Sequence, residues 1–317
     1  MNKSLKIIFF GTPEFATGVL NELHHSIHEI VVVVTAPDKP AGRGRKINES
    51  DVKKYAVENQ IPVLQPKNLK SEEFLKELRS FHADLQVIVA FRMLPKQVWD
   101  MPPLGTFNLH ASLLPQYRGA APINWAIINQ ESKTGVTTFF IDEKIDTGAI
   151  IANKETEILP NENVGSLYSR LMVMGAQLSL ETVHMIAQGN VSTTIQEENK
   201  QLKPAPKLNN QNTLINFDKS ATEVDALVRG LYPYPVAKAV LQDQDEKIVK
   251  IHKSSIVHKK HQMIPGSFVI ENGCILIACK EDMIVIEEMQ LPNKKRMKVK
   301  DLLNGYTFDQ DARFGKA

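Results

Sequence analysis

"LKIIFFGTPEFATGVLNELHHSIHEIVVVVTA", residues 5–36, decides the fold class. It opens on "LKIIFFG" (5–11) and ends on "EIVVVVTA" (29–36), two short runs that are apolar almost throughout. A strand covered on both faces has no solvent side to mark with polar residues, so it reads as a continuous apolar run rather than an alternation. Between the runs, "PEFATGVLNELHHS" has the texture of a helix, with Pro13 near its first turn, where a missing N–H costs nothing. Strand, helix, strand in this style predicts parallel pairing through a right-handed crossover.

The same alternation continues. A helix is predicted around 50–60, then a short run "IPVLQP", then a helix over 71–82 opened by Ser71 with Glu72 and Glu73 behind it. "ADLQVIVAF" (83–91) and "GTFNLH" (105–110) are further strands, "GVTTFFID" (135–142) another, and a long helix is predicted over 164–188. In that helix Leu167, Leu171, Met174 and Leu178 recur with helical spacing. The pattern predicts an α/β domain with an open, mostly parallel sheet and helices on both faces.

After Gly189 the texture changes. "NVSTTIQEENKQLKPAPKLNN" is polar, proline-bearing and aperiodic, and reads as a linker. Beyond it "KIVKIHKSSIV", "GSFVI", "CILIAC" and "MIVIEEM" are short strands between turn residues. They predict a small barrel or sandwich of about 100 residues. The expected division is a first domain over 1–189, a linker over 190–207 and a second domain over 208–317. Two domains also suit a chain of 317 residues.

Bulk properties exclude more than they identify. An apolar fraction of 43% and a charged fraction of 23% belong to an ordinary globular protein. Net charge is +2, and the part from residue 204 onward is the more basic. That permits a polyanionic partner without requiring one. Cys274 and Cys279 are too few for a disulfide scaffold and fit no zinc spacing, so no metal is expected. No apolar run is long enough to cross a bilayer, and the first one is too short for a signal peptide. A cytoplasmic protein that does not engage membranes is expected.

The chemistry concentrates in "GTFNLHASLLPQYRGAAPINWA" (105–126). Side chains alternate across a strand, so Phe107 and Leu109 face one way and Asn108 and His110 the other. The polar pair then sits near the strand's C-terminal end, where open α/β sheets place ligands. Leaving a buried amide and imidazole unsatisfied costs roughly 1–3 kcal/mol each, so a partner or a substrate must meet them. Asp146, in "EKIDTGAII", is the carboxylate candidate. His, Asp and Asn make a set for acyl transfer, in which the His moves a proton and the Asn stabilises an oxyanion. A purely structural His–Asp bond is the competing reading, about as favoured by spacing alone. A metal site fits less well, since Asn is a poor ligand. A serine hydrolase fits less well still, since Ser112 lacks the glycine-flanked elbow.

Other motifs are more ambiguous. "GTPEFA" (11–16) lacks the G-x-G-x-x-G spacing and reads as a plain strand-to-helix turn. "APDKPAGRGRKIN" (36–48) gathers Lys39, Arg43, Arg45 and Lys46 in a long loop, either a solvated surface or a phosphate-backbone contact. "NKKRMKVK" (293–300) has the same two readings. "HHSIH" (24–28) is read as decorating a helix end.

Taken together, "GTPEFA", "PDKPAGRGRK", "FNLHASLLPQYRGAAPINWAI" and "DTGAII" resemble, in order and spacing, the methionyl-tRNA formyltransferases. The resemblance extends over essentially the whole chain, including "LYPYPVA" (231–237) and "DLLNGY" (301–306). It implies a Rossmann-like catalytic domain and a C-terminal OB-like β-barrel that binds tRNA. It also implies transfer of the formyl group of 10-formyltetrahydrofolate to methionyl initiator tRNA. A monomer is expected. By motif position it makes Asn108, His110 and Asp146 catalytic and places Ser112, Leu113, Leu114 and Pro115 along the folate. Lys39, Arg43, Arg45 and Lys46 fall in its tRNA-reaching loop. Arg92 departs from the pattern, standing where many relatives have glycine. Rival readings are another folate-dependent formyltransferase or hydrolase, or a non-catalytic RNA-binding protein on the same scaffold.

Overall fold

The computed structural model describes residues 3–41, 46–197 and 201–315. The chain forms two compact units. One comprises Met1–Pro122, Thr134–Thr156 and Tyr168–Pro204, the other Ile123–Lys133, Glu157–Leu167 and Ala205–Ala317.

The elements over the first 187 residues are β1 (Lys6–Gly11), α1 (Glu14–His24), β2 (Glu29–Val34), β3 (Lys39–Ala41), β4 (Lys46–Asn48), α2 (Asp51–Glu58), β5 (Val63–Leu64) and α3 (Glu72–Ser80). They continue with β6 (Leu85–Val89), α4 (Lys96–Trp99), β7 (Thr106–His110), α5 (Pro122–Ile128), β8 (Lys133–Phe140), β9 (Ile150–Glu157) and α6 (Val164–Ala187). The main sheet runs β5-β2-β1-β6-β7-β8-β9. Pairing is parallel from β5 through β7, and β8 joins antiparallel. This is the mostly parallel sheet the apolar runs imply, in the Rossmann-like form that the family resemblance implies. The chain steps from β1 to β2 and β5, then returns to β6 on the far side of β1. Such a reversal places a crevice at the carboxyl ends of the strands.

Burial follows the sequence pattern. In β1, Ile7 to Phe10 are within 1% of fully buried, and Val32 to Val34 of β2 are fully buried. One face of the sheet packs Ile8, Phe10, Val32 and Ile88 against Phe74, Leu75 and Leu78 of α3. On α6, Leu171 is fully buried and Leu178 nearly so. Gly175 lets that helix lie close on β7, since a Cβ there would stand 2.7 Å from Leu109 Cδ2. The "GTPEFA" turn is the plain junction expected. Its Phe15 N–H donates to Tyr168 Oη at 2.8 Å, so a side chain of the protein occupies that helix-start donor.

The "HHSIH" reading needs correction at its last residue. His28 lies beyond α1 and is 4% exposed, and its Nδ1 accepts from Leu5 N–H at 3.2 Å. It pins the entry of β1, and its ring centroid lies 5.2 Å from that of His184.

The second unit contains α7 (Ala221–Gly230), β10 (Ala237–Gln242), β11 (Glu246–Val257), β12 (Phe268–Glu271), β13 (Cys274–Ala278), β14 (Met283–Gln290), β15 (Met297–Lys298), α8 (Val299–Leu303) and β16 (Arg313–Gly315). A capping box opens α7, Ser220 Oγ accepting from Glu223 N–H while the Glu223 carboxylate accepts from Ser220 N–H. The strands run β12-β13-β14-β11-β10-β16, all antiparallel, with β15 on β14. Register shifts near Lys253 bend β11. Phe314 of β16 donates its N–H to Gly266 O at 2.8 Å, two residues before β12, which brings the ends of the sheet together in a barrel-like form. Ile251, Ile275, Ile277, Ile284 and Ile286 fill its interior. Cys279 is buried and Cys274 half-buried, both as free thiols. Among the described residues no helix is long and apolar enough to cross a membrane.

Candidate active site

β7 delivers the first two candidate groups. Phe107 and Leu109 are buried, Asn108 is half-buried, and His110 is 7% exposed. Asn108 lies opposite Phe139 and His110 opposite Thr137 on β8. Among the described residues nothing hydrogen-bonds the Asn108 amide. The His110 ring is held differently. Its Nε2 meets Tyr117 O at 2.8 Å, and because a carbonyl can only accept, Nε2 carries the proton. Nδ1 is left facing Asp146 Oδ2 at 3.8 Å. The sequence-predicted trio therefore includes one close pair, His110 and Asp146, with Asn108 on the same face of the strand as His110.

Asp146 arrives on a loop between β8 and β9. Its φ of 56° is the left-handed region, uncommon for a residue with a Cβ. Three features hold the loop. Asp142 Oδ1 accepts from Lys144 N–H and Thr147 Oγ1, closing the turn. Gly148 packs so tightly that a Cβ would lie 1.7 Å from Phe140 O. The Asp146 carboxylate accepts from Gly119 N–H at 3.0 Å, tying the loop to the segment after β7.

The "SLLP" segment is shaped from within. Thr137 Oγ1 donates to Ser112 O at 2.7 Å and accepts from Leu114 N–H at 3.2 Å. Ser112 is fully buried, and its hydroxyl donates to Gln116 O. Leu114 is buried too, while Leu113 and Pro115 are half-buried. Ser112 thus has its hydroxyl engaged by the protein, and the partly open surface of the segment belongs to Leu113 and Pro115.

The basic loop is the β3–β4 hairpin, with Lys39 pairing Asn48. Lys39 is exposed. Arg43 and Arg45 lie outside the described residues, and for Lys46 only the backbone is described. The hairpin's base is fixed by Asp38, whose carboxylate takes Lys53 Nζ at 2.5 Å and Gln65 Nε2 at 2.7 Å. These hydrogen bonds, Lys53's first, hold the Asp38 carboxyl below its ordinary pKa.

Arg92 does not point at the trio's partners. Its guanidinium donates to the carbonyls of Pro66 and Lys67 and sits 5.7 Å from the Phe91 ring centroid. It lines a cleft of about 1590 Å³ bordered by α3, Leu94 and Trp99, which contains none of Asn108, His110 or Asp146. Among the described residues no group of three or more His, Cys, Asp or Glu could hold a metal ion.

Two residues at the site were not singled out from sequence for any role there. Gln196 Nε2 donates to Asp146 O at 3.0 Å and to Gly148 O at 2.8 Å. Its Oε1 accepts from Arg118 Nε and Nη2 at 3.1 and 2.8 Å. An uncharged residue in an aperiodic polar stretch carries no signal of this. Arg118 lies within the 105–126 stretch, where nothing in its spacing names its partner.

A buried imidazole thus faces a carboxylate, on the same strand face as a half-buried amide, at the carboxyl end of a parallel strand. The Formyl transferase family profile matches residues 5–183, and the profile of its C-terminal domain matches residues 207–307. The chain belongs to the formyl transferase family. Relatives along the full length include methionyl-tRNA formyltransferases. That of Flavobacterium johnsoniae is 54% identical over 312 residues, 98% of this chain and 99% of that one. That of Bacteroides fragilis is 46% identical over 310 residues, 96% of each. At the level of fold, the chain is similar to WlaRD, a sugar 3N-formyl transferase solved in the presence of dTDP and 5-N-formyl-THF. Identity there is 21% and the TM-score 0.66, covering 92% of this chain and 100% of that one.

Proposed function

We propose that this enzyme transfers the formyl group of 10-formyltetrahydrofolate to the α-amino group of methionyl initiator tRNA. The observation that carries the reading is the Asn108 amide, which no described residue hydrogen-bonds, on the same strand face as His110, whose Nδ1 faces Asp146. The neutral amine attacks the formyl carbon, a C–N bond forms, and the carbonyl electrons move onto oxygen. Asn108 donates from its NH₂ to that oxyanion, and a donor already in place needs no reorganisation as the charge develops. The amine must then lose a proton and the folate N10 must gain one before its bond to carbon breaks.

His110 and Asp146 serve that proton movement. Tyr117 O already takes Nε2–H, so Nδ1 is the atom that exchanges a proton. A proton on Nδ1 turns the 3.8 Å approach to Asp146 into an ion pair, which steadies the imidazolium until the proton passes on. The half-buried surfaces of Leu113 and Pro115, with the backbone of residues 112–115, suit an aromatic folate body. Lys39, Arg43, Arg45 and Lys46 supply charge for the tRNA phosphates, and the barrel-like unit supplies further surface for the tRNA. The enzyme works as a monomer in the cytoplasm.

The decisive experiment mixes the purified protein with methionyl initiator tRNA and 10-formyltetrahydrofolate labelled in its formyl group. Label recovered on the methionine amine is the expected result. Label that stays on folate, or leaves as free formate, would refute the assignment.

A further inference from the structure

Gln196 occupies an unusual position for a residue of a polar, aperiodic stretch. It is 7% exposed, and all its amide capacity is used, with two donors spent on Asp146 O and Gly148 O and two lone pairs on Arg118. The arrangement has only one sense. Reversing the amide would set its oxygen against two carbonyl oxygens and its NH₂ against a guanidinium, so Arg118 dictates which end faces the loop. The two captured carbonyls flank Thr147 and fix the peptide planes after Asp146. They therefore fix the direction of the Asp146 side chain, in a residue whose φ of 56° needs such support.

Neighbouring backbone bonds reinforce this. Ile150 and Thr194 exchange N–H···O bonds at 2.8 and 2.9 Å, which seats residues 194–196 beside the loop. Further on, Lys203 O accepts from Tyr117 N–H at 2.7 Å, and Tyr117 O is the acceptor for His110 Nε2. The stretch following α6 thus braces both members of the His110–Asp146 pair, one through Gln196 and the other through Lys203.

We infer that Gln196 is a positioning residue for formyl transfer, setting the carboxylate of Asp146 against His110 through the backbone of residues 146–148. The inference rests on the functional reading above, in which Asp146 takes part in the proton movement. Its hydrogen bonds go to two backbone carbonyls and to Arg118, so it acts through the loop.

The test is a double-mutant cycle on formylation of methionyl initiator tRNA by the full chain. Gln196→Met keeps the side-chain size and removes all four hydrogen bonds. It lowers kcat by roughly 10–100-fold, the scale of a small misplacement, with both KM values within about twofold of wild type. In an Asp146→Asn background the same change lowers kcat by less than about twofold, because the carboxylate it positions is already gone. Gln196→Glu keeps the acceptors for Arg118 and loses the donors. Its kcat recovers relative to wild type as pH is lowered, since a protonated carboxyl can donate one bond. A loss that multiplies undiminished in the Asp146→Asn background, or unchanged kcat in both single variants, overturns the inference. A wild-type chain that does not formylate methionyl-tRNA overturns the functional reading instead, and the inference falls with it.

Discussion

His110 and Asp146 approach to 3.8 Å, Nδ1 to Oδ2, while the other ring nitrogen donates to Tyr117 O at 2.8 Å. The first distance is beyond a hydrogen bond and within reach of an ion pair. The ring is thus anchored by one nitrogen and free to change charge at the other.

Removing either partner therefore strikes turnover harder than folding. His110→Ala and Asp146→Asn each lower kcat by roughly 10²–10⁴, and Asn108→Ala by roughly 10²–10³. Single-turnover formylation with saturating substrates measures this, and circular dichroism checks that each variant is folded. Rates within a few-fold of wild type would remove the residue concerned from the mechanism.

The basic hairpin is expected to act on one substrate only. Replacing Lys39, Arg43, Arg45 and Lys46 together by Ala raises KM for tRNA and leaves that for the folate unchanged. The fall of log(kcat/KM) with log salt becomes shallower, by about 0.7–0.9 for each phosphate that is no longer neutralised. Equal effects on both substrates would place the hairpin away from the tRNA.

Two glycines give contrasting outcomes under Ala substitution. Gly148→Ala drives a methyl into Phe140 O, backbone that cannot step aside, and costs about 3 kcal/mol or more. Gly189 has φ +70° with nothing within 4 Å of the new methyl, so Gly189→Ala costs only the left-handed strain of about 1–2 kcal/mol. Urea unfolding of both variants tests the pair. Equal costs would contradict the packing around Gly148.

His28 couples stability to pH. Burial, and secondly the charge of His184, hold its pKa below 6.5. The unfolded chain then binds the proton more readily, so the contribution is full above 6.5 and is lost as pH falls from there towards the folded value. His28→Asn retains an acceptor for Leu5 N–H but does not titrate. Its urea midpoint should fall less than that of wild type between about pH 7 and 5. Parallel curves would exclude His28 as the source.

The positions of the central strands were legible because buried parallel strands announce themselves as apolar runs, as in Ile7–Phe10 and Val32–Val34. β9 was not, since "IIANKETE" is polar at alternate positions and reads as surface until it is seen beside β8. Asn108 and His110 were legible because two polar groups broke an apolar strand. Asp146 followed from being a carboxylate candidate downstream and from family resemblance. Gln196 was invisible for a physical reason. Its effect comes from where both ends of one neutral amide land after folding, and no periodicity, charge or turn preference records that.

The bracing of the site by Thr194, Gln196 and Lys203 bears on how this enzyme can be dissected. A truncated catalytic fragment ending at Gly189 would retain Asn108, His110 and Asp146 yet shed the chain that props two of them. Engineers seeking a minimal formyl-transferring core should cut beyond Pro204, and chimeras that swap the tail at Gly189 would inherit a mismatched brace.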